Sequence, residues 1–152
     1  MAIGTEIPGK MDDIQNEIID EFSVLSGDKE STVNYIMELG QRLKPLDEKY
    51  KVDGNIIKGC QSKVWLTSRL EGDRIIYNAD SNTAITKGLI SLLIRIFSGQ
   101  KVDDIIGSNL FFIEKIGMGN IVGSQRSNGL ASMIKQMKLD AIAYKIKSST
   151  SA

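Results

Sequence analysis

Histidine is absent from this 152-residue sequence, and cysteine occurs once, as Cys60. Without imidazole there is no histidine general base, and the common Cys/His zinc centres lack their ligands. A lone thiol makes neither an intrachain disulfide nor a dithiol centre, so Cys60 is a buried small hydrophobe, an incidental surface group or a reactive atom. An excess of one charge is equally lacking. Nineteen basic residues balance 19 acidic ones, which argues against a broad electrostatic footprint for nucleic acid or an anionic membrane. No apolar run approaches the roughly 20 residues of a spanning helix, and residues 1–10 lack the charged start and apolar core of a secretory signal. These absences predict a protein of the reducing cytoplasm with neither a membrane nor a nucleic-acid partner.

What is present is enough apolar chain, 41% of the residues, to build one domain with a real core. Residues 1–10 read as a loose tail, with Met11 an alternative start to Met1. Met11, Ile14, Ile18 and Phe22 recur at helical spacing. Ser26-Gly27-Asp28 interrupts them, and Asp28 or Ser31 caps a second helix that carries Val33, Ile36, Met37, Gly40 and Leu43 on one face and is closed by Pro45. A turn at Asp53-Gly54-Asn55 and the extended pair Ile56-Ile57 then deliver Cys60 on a loop. Val64, Leu66 and Ser68 alternate with Trp65 and Thr67, and Ile75, Tyr77 and Ala79 repeat the pattern after Glu71-Gly72-Asp73, which predicts a hairpin. Thr83 to Phe97 returns to the helical period and stops at Ser98-Gly99. Short helices are expected over Val102 to Ile106 and Leu110 to Ile116, with a break at Gly117-Met118-Gly119-Asn120. Leu130, Met133, Ile134, Met137 and Ala141 mark a last helix, followed by a polar tail from Lys145, so that 11–145 form the domain and 146–152 a flexible end. The fold class is α+β, a small antiparallel sheet packed against several helices.

The surroundings of Cys60 are not those of a core cysteine. Gly59 permits an unusual backbone angle or the close approach of a partner, Gln61 and Ser62 are polar, and Lys58 and Lys63 flank the thiol with charge that favours thiolate. Before the last helix, Arg126 in Gly123-Ser124-Gln125-Arg126-Ser127-Asn128-Gly129 stands where either capping or anion binding would use it. Isolated Gly72 and Gly88 belong to no nucleotide fingerprint and read as turn and close helix packing. The pairs Asp12-Asp13, Asp47-Glu48 and Asp103-Asp104 read as helix starts or solvated faces.

Taken together, Gly59-Cys60-Gln61-Ser62-Lys63-Val64-Trp65-Leu66, the run from Ala79 through Asp80 to Ile90, and Arg126-Ser127-Asn128-Gly129-Leu130 resemble, in order and spacing, the SufE family of sulfur-acceptor proteins. The resemblance implies a SufE/IscU-like fold. It further implies that Cys60 accepts sulfane sulfur from the persulfide of a SufS-like cysteine desulfurase, stimulating that enzyme, and passes it to a scaffold such as the SufBCD complex for iron-sulfur cluster assembly. Pyridoxal phosphate would belong to the partner, and no cofactor or metal to this chain. Cys60 at rest would lie in an apolar pocket near Trp65 and swing out on docking, with Gly59, Gln61, Ser62, Asp80 and Arg126 positioning the loop or meeting the partner. The family commonly has proline and then serine or threonine before this arginine, where Ser124-Gln125 stands here. One cysteine and no histidine do not suit a cluster scaffold. Two further readings are a docking-only allosteric regulator of a desulfurase and, disfavoured without a base, a thiol hydrolase.

Overall fold

The structure is a computed structural model that describes residues 9–150. It begins with two helices, α1 (Met11–Ser23) and α2 (Lys29–Gln41). Asp28 is the N-cap of α2, its carboxylate accepting the Ser31 amide at 2.9 Å, and Asp12 and Asp13 occupy the first turn of α1. The second helix ends at Gln41, short of Pro45. The linker carries the 3₁₀ turns Glu48–Tyr50 and Asp53–Asn55, and leads through the Cys60 loop into β1 (Val64–Glu71) and β2 (Arg74–Ser81).

The hairpin pairs Val64 with Ser81 and Glu71 with Arg74, and Gly72 turns it at φ +66°. Partners directly opposite share a face, so Val64, Leu66, Ile75, Tyr77 and Ala79 form one buried surface, while Trp65, Thr67, Ile76 and Asn78 on the other are half-buried. A feature the alternation pattern missed is β3 (Gln100–Lys101), which completes a three-stranded antiparallel sheet in the order β1-β2-β3. Two residues are too short to show a period.

Between hairpin and β3 runs α3 (Ala84–Phe97), the most enclosed helix, with Leu89, Ile90, Leu92, Leu93, Ile96 and Phe97 almost without solvent contact. It lies against β2 on one side and α2 on the other. The approach to α2 is close enough to require glycine. A Cβ on Gly88 would stand 1.9 Å from the Ile36 carbonyl oxygen, and one on Gly40 would stand 2.7 Å from the Gly88 nitrogen. The expected role of Gly88 in helix packing is borne out. From α1, Glu21 accepts from Arg95 of α3 and, at 2.7 Å, from the Tyr35 hydroxyl of α2, tying the three helices together.

After β3 come α4 (Val102–Ile106), α5 (Phe112–Ile116), α6 (Met118–Val122) and the 27-residue α7 (Ser124–Thr150). The run Gly117-Met118-Gly119-Asn120 does not act throughout as a breaker. Only Gly117 turns the chain, at φ +77°, and Met118 drives the next short helix into the core at 0% exposure. Leu130, Met133, Met137 and Ala141 are the buried stripe of α7, and its exposed end remains helical to Thr150 rather than ending at Lys145. The rest of the expected tails, 1–8 and 151–152, lies outside the described residues. The expected α+β class is borne out. Among the described residues no helix is long and apolar enough to cross a membrane.

Because a backbone oxygen occupies the space a Gly88 side chain would need, Gly88→Ala should lower stability by at least about 2 kcal/mol through forced separation of α2 and α3. Urea denaturation followed by circular dichroism reads this directly. An unchanged midpoint would mean that the helices part at no cost.

Candidate functional site

The Cys60 loop is closed at its base by strand-like bonds. Ile56 bridges Trp65, and the Ile57 amide donates to the Val64 carbonyl at 2.8 Å. Beyond that clasp, residues 58–63 form the tip. Its outgoing side is well held: the Lys63 amide donates to Asn82 Oδ1 at 3.0 Å, and the Lys63 carbonyl accepts from Ser81 Oγ at 2.8 Å and from the Asn82 amide at 3.2 Å. Ser62 Oγ accepts from Thr83 at 2.9 Å and from Thr86 at 3.2 Å, both at the start of α3.

The thiol itself rests against α7. Cys60 is half-buried, and its Sγ donates to the Gly129 carbonyl at 3.5 Å. Ser132 Oγ reaches the Gly59 carbonyl at the same 3.5 Å while also donating to Asn128 O at 3.2 Å. Both contacts between the tip and α7 are weak: a thiol is a poor donor at any distance, and the Ser132 hydroxyl is at the long limit for an oxygen donor and has its one proton drawn to Asn128 as well. Gly59 takes the unusual backbone angle the sequence suggested, with φ +92°, but where the sequence suggested the approach of a partner, a Cβ would lie 2.5 Å from Ser132 Oγ. The close approach is to the chain's own last helix. Gly129 likewise brings backbone to within contact of the thiol, since a Cβ on it would meet Sγ at 3.7 Å.

Burial pushes the Cys60 thiol above its ordinary pKa. The expectation that Lys58 and Lys63 favour thiolate is therefore overturned for the resting loop: both lysines are exposed, and their charge is spent in water while the sulfur is partly desolvated. Cys60 packs against the edge of the hydrophobic core and its thiol meets Gly129, while the Trp65 ring carries Lys51 over its face, with Nζ 5.7 Å from the centroid.

Asp80 is a different kind of residue from the cysteine's neighbours. It is 3% exposed, and its carboxylate accepts the amides of Ser81 at 2.8 Å and Leu46 at 3.3 Å while pairing with Lys87 at 3.2 Å and Lys51 at 3.3 Å. Burial raises its pKa, but the two amides and two ammonium groups together outweigh burial and hold it below the usual carboxylate range. Asp80 thus gathers the linker before the cysteine loop and the first turns of α3 around one charge. Arg126 sits in the first turn of α7, exposed, with Nη1 donating to Val122 O at 3.3 Å, one turn before the Gly129 that touches the thiol. Gln61 is exposed at the tip. The structure therefore brings Gly59, Cys60 and Ser62 together with Gly129, Ser132, Thr83 and Thr86, and puts Asp80 at the loop's foundation. Ser132 and the two threonines were missed. The spacing of Ser132 three residues after Gly129 was the available signal; nothing in the local sequence links Thr83 and Thr86 to Ser62.

Two outcomes follow from these charges. Alkylation of Cys60 by iodoacetamide should titrate with a midpoint above about 8.5 in the folded protein and at about 8.5 in urea; a folded midpoint below the unfolded one would show that the lysines win. Because the folded pKa of Asp80 is depressed, its stabilisation is present above the unfolded value near 4 and is lost as pH falls through the folded value. Asp80→Asn should accordingly lower the urea midpoint at pH 7, and the gap from wild type should narrow in acid. A gap independent of pH would rule out the ionised carboxylate as the source.

Known proteins resemble this chain along most of its length. The family model described as "Fe-S metabolism associated domain", SufE, matches residues 16–141. A SufE-like protein of Rhizobium etli is 36% identical over 131 residues, covering 83% of this chain and 88% of that protein. SufE-like protein 1, chloroplastic/mitochondrial, of Arabidopsis thaliana is 32% identical over 143 residues, covering 93% of this chain but 37% of the plant protein. The solution structure of a hypothetical protein from Thermus thermophilus shares the fold, with a TM-score of 0.70 at 14% identity, covering 90% of this chain and 96% of that one. On the family match and the Rhizobium relative alike, the chain belongs to the SufE family.

Proposed function

We propose that this protein accepts sulfane sulfur from a cysteine desulfurase and activates that enzyme, carrying the sulfur as a Cys60 persulfide toward iron-sulfur cluster assembly. The observation that carries the reading is the placement of the sole cysteine at the tip of a loop with a fastened base and a weakly held tip. Family membership supports a sulfur-transfer role in general, and the site geometry supports Cys60 as its bearer. In the transfer, the Cys60 thiolate attacks the outer sulfur of the donor's persulfide. A sulfur–sulfur bond forms on Cys60 as the donor's sulfur–sulfur bond breaks, the donor's cysteine leaves as thiolate, and no external oxidant or reductant is consumed.

Each part of the site has a place in that reaction. At rest the thiol is held above its ordinary pKa, which suppresses reaction with small oxidants and stray disulfides. Displacing the tip from α7 costs the two 3.5 Å contacts and returns the sulfur to water and to the fields of Lys58 and Lys63, so docking both exposes and activates it. Gly59 serves as the pivot, Ser62 and Asp80 keep the base in place, and Gln61 and Arg126 face outward for the partner. The donor would be a SufS-like desulfurase holding its own pyridoxal phosphate, the recipient a scaffold such as SufBCD, and the compartment the cytoplasm. Proximity within the donor's site supplies what a local base would otherwise provide. The protein turns over no small molecule by itself.

Mixing the protein with its own organism's desulfurase, pyridoxal phosphate and cysteine should add about 32 Da at Cys60 by intact-mass spectrometry. Cys60→Ser should abolish both the adduct and the stimulation of the desulfurase while leaving the circular dichroism spectrum unchanged. Stimulation that survives without the thiol would replace sulfur acceptance by docking-only regulation.

A further inference from the structure

A formal net charge of zero conceals an uneven distribution around the thiol. Neither residues 54–70 nor residues 115–139 contain an aspartate or glutamate, although both segments carry lysine and arginine. Folding brings these two segments together at one place, where Cys60 meets Gly129 and Gly59 meets Ser132. Lys58 and Lys63 of the loop and Arg126 of α7 are exposed there. Asp80, the carboxylate nearest the loop's foundation in sequence and pairing, is buried and already engaged by Lys51 and Lys87, so it offers these cations little compensation. The amino end of α7 adds the positive end of its dipole on the same side.

The other end of α7 differs. Lys145 pairs with Asp103 at 2.9 Å, roughly 24 Å along the helix axis from Gly129. There, Asp12, Asp103 and Asp104 share one depression with Lys10 and Arg74, so charges of both signs are interleaved. Of the two ends, only the one at the cysteine is built from acid-free segments. Isolated surface lysines are ordinarily just solvated, and it is the convergence of two acid-free segments on the reactive atom that distinguishes this patch.

We propose that Lys58, Lys63 and Arg126 form a cationic collar around Cys60 that docks on an acidic rim at the mouth of the sulfur donor's active site. This inference rests on the sulfur-acceptor reading and names the surface chemistry of the partner. The collar steers encounter and aligns the loop with the entrance, and within about 8–10 Å, the screening length at physiological salt, its charges act together. As the loop swings out, Lys58 travels with the sulfur while Lys63, its backbone held by Asn82 and Ser81, stays beside the path, so the attraction persists along the transfer. Lys58 and Lys63 also meet the anionic form of the persulfide once it forms.

The test measures association by stopped flow between the purified pyridoxal-phosphate desulfurase and the intact protein, at about 20 mM and about 300 mM salt. The association rate should fall about tenfold between these salts, and Lys58→Glu/Lys63→Glu should reduce it at least about tenfold at low salt with an unchanged thermal midpoint. Asp104→Lys, at the mixed end, should leave it unchanged. High desulfurase concentration should restore complex formation by the double variant, as expected if encounter is what the collar controls, whereas its sulfur loading stays slower because the same lysines favour the thiolate. Equal low-salt rates for wild type and the double variant would overturn the collar. In that event, a persulfide still found on wild-type Cys60 confines the failure to the collar, whereas no persulfide in wild type overturns the sulfur-acceptor reading as well.

Discussion

The contact on which the site depends is the crossing of α2 and α3, where the Gly88 backbone lies so close to Ile36 that no side chain fits between them. That crossing sets the position of the start of α3. Lys87, adjacent to Gly88, reaches Asp80; Thr86 and Thr83, one turn earlier, hold Ser62. The same helix is packed against β2, and β2 is paired along its length with β1, the strand that follows the cysteine loop, so the strand and the helix that grips the loop form one packed body. A loop intended to move needs an immobile base, and the tightest helix contact in the molecule supplies one.

The weakest attachments of the loop, by contrast, are at Gly59 and Cys60. The bonds that close the base are short and backbone-borne, while the links from Gly59 and Cys60 to α7 are long and few. Local opening of such a segment exposes little apolar surface and breaks weak bonds, so it belongs to the low-energy end of the molecule's fluctuations. Burial of the thiol and the charge around it then oppose each other according to loop position. Inward, desolvation dominates and keeps the sulfur a thiol; on the proposed outward swing, water and lysine would favour thiolate and give a single cysteine without histidine a quiet and a reactive state.

Asp80 illustrates how a motif residue can serve a site without touching it. Its two lysines come from opposite sides, Lys51 from the linker before the cysteine and Lys87 from α3, and together with the Ser81 and Leu46 amides they favour the ionised carboxylate against its burial. The Leu46 amide adds the preceding linker to the same anchor. The polar motif residue therefore gathers the chain on both sides of the loop, which is consistent with a positioning role and distant from proton transfer.

The amino-acid sequence by itself determined the α+β class, the hairpin, the amphipathic helices and Cys60 as the candidate reactive atom, because periodicity, turn residues and residue chemistry are local properties. Gly88 as a packing glycine was legible for the same reason: it is an isolated glycine inside a helical period, with no turn signal beside it. The two-residue β3, the helix at Met118 and the helical continuation to Thr150 were not legible, since each is decided by pairing, burial or the end of a long helix rather than by a local pattern. Only the tertiary structure decided that Cys60 rests on Gly129, 69 positions away, and that its lysines lose to desolvation. Burial depends on which distant segment arrives beside the sulfur, and a chain's neighbours in space are set by packing of the whole, not by its neighbours in sequence.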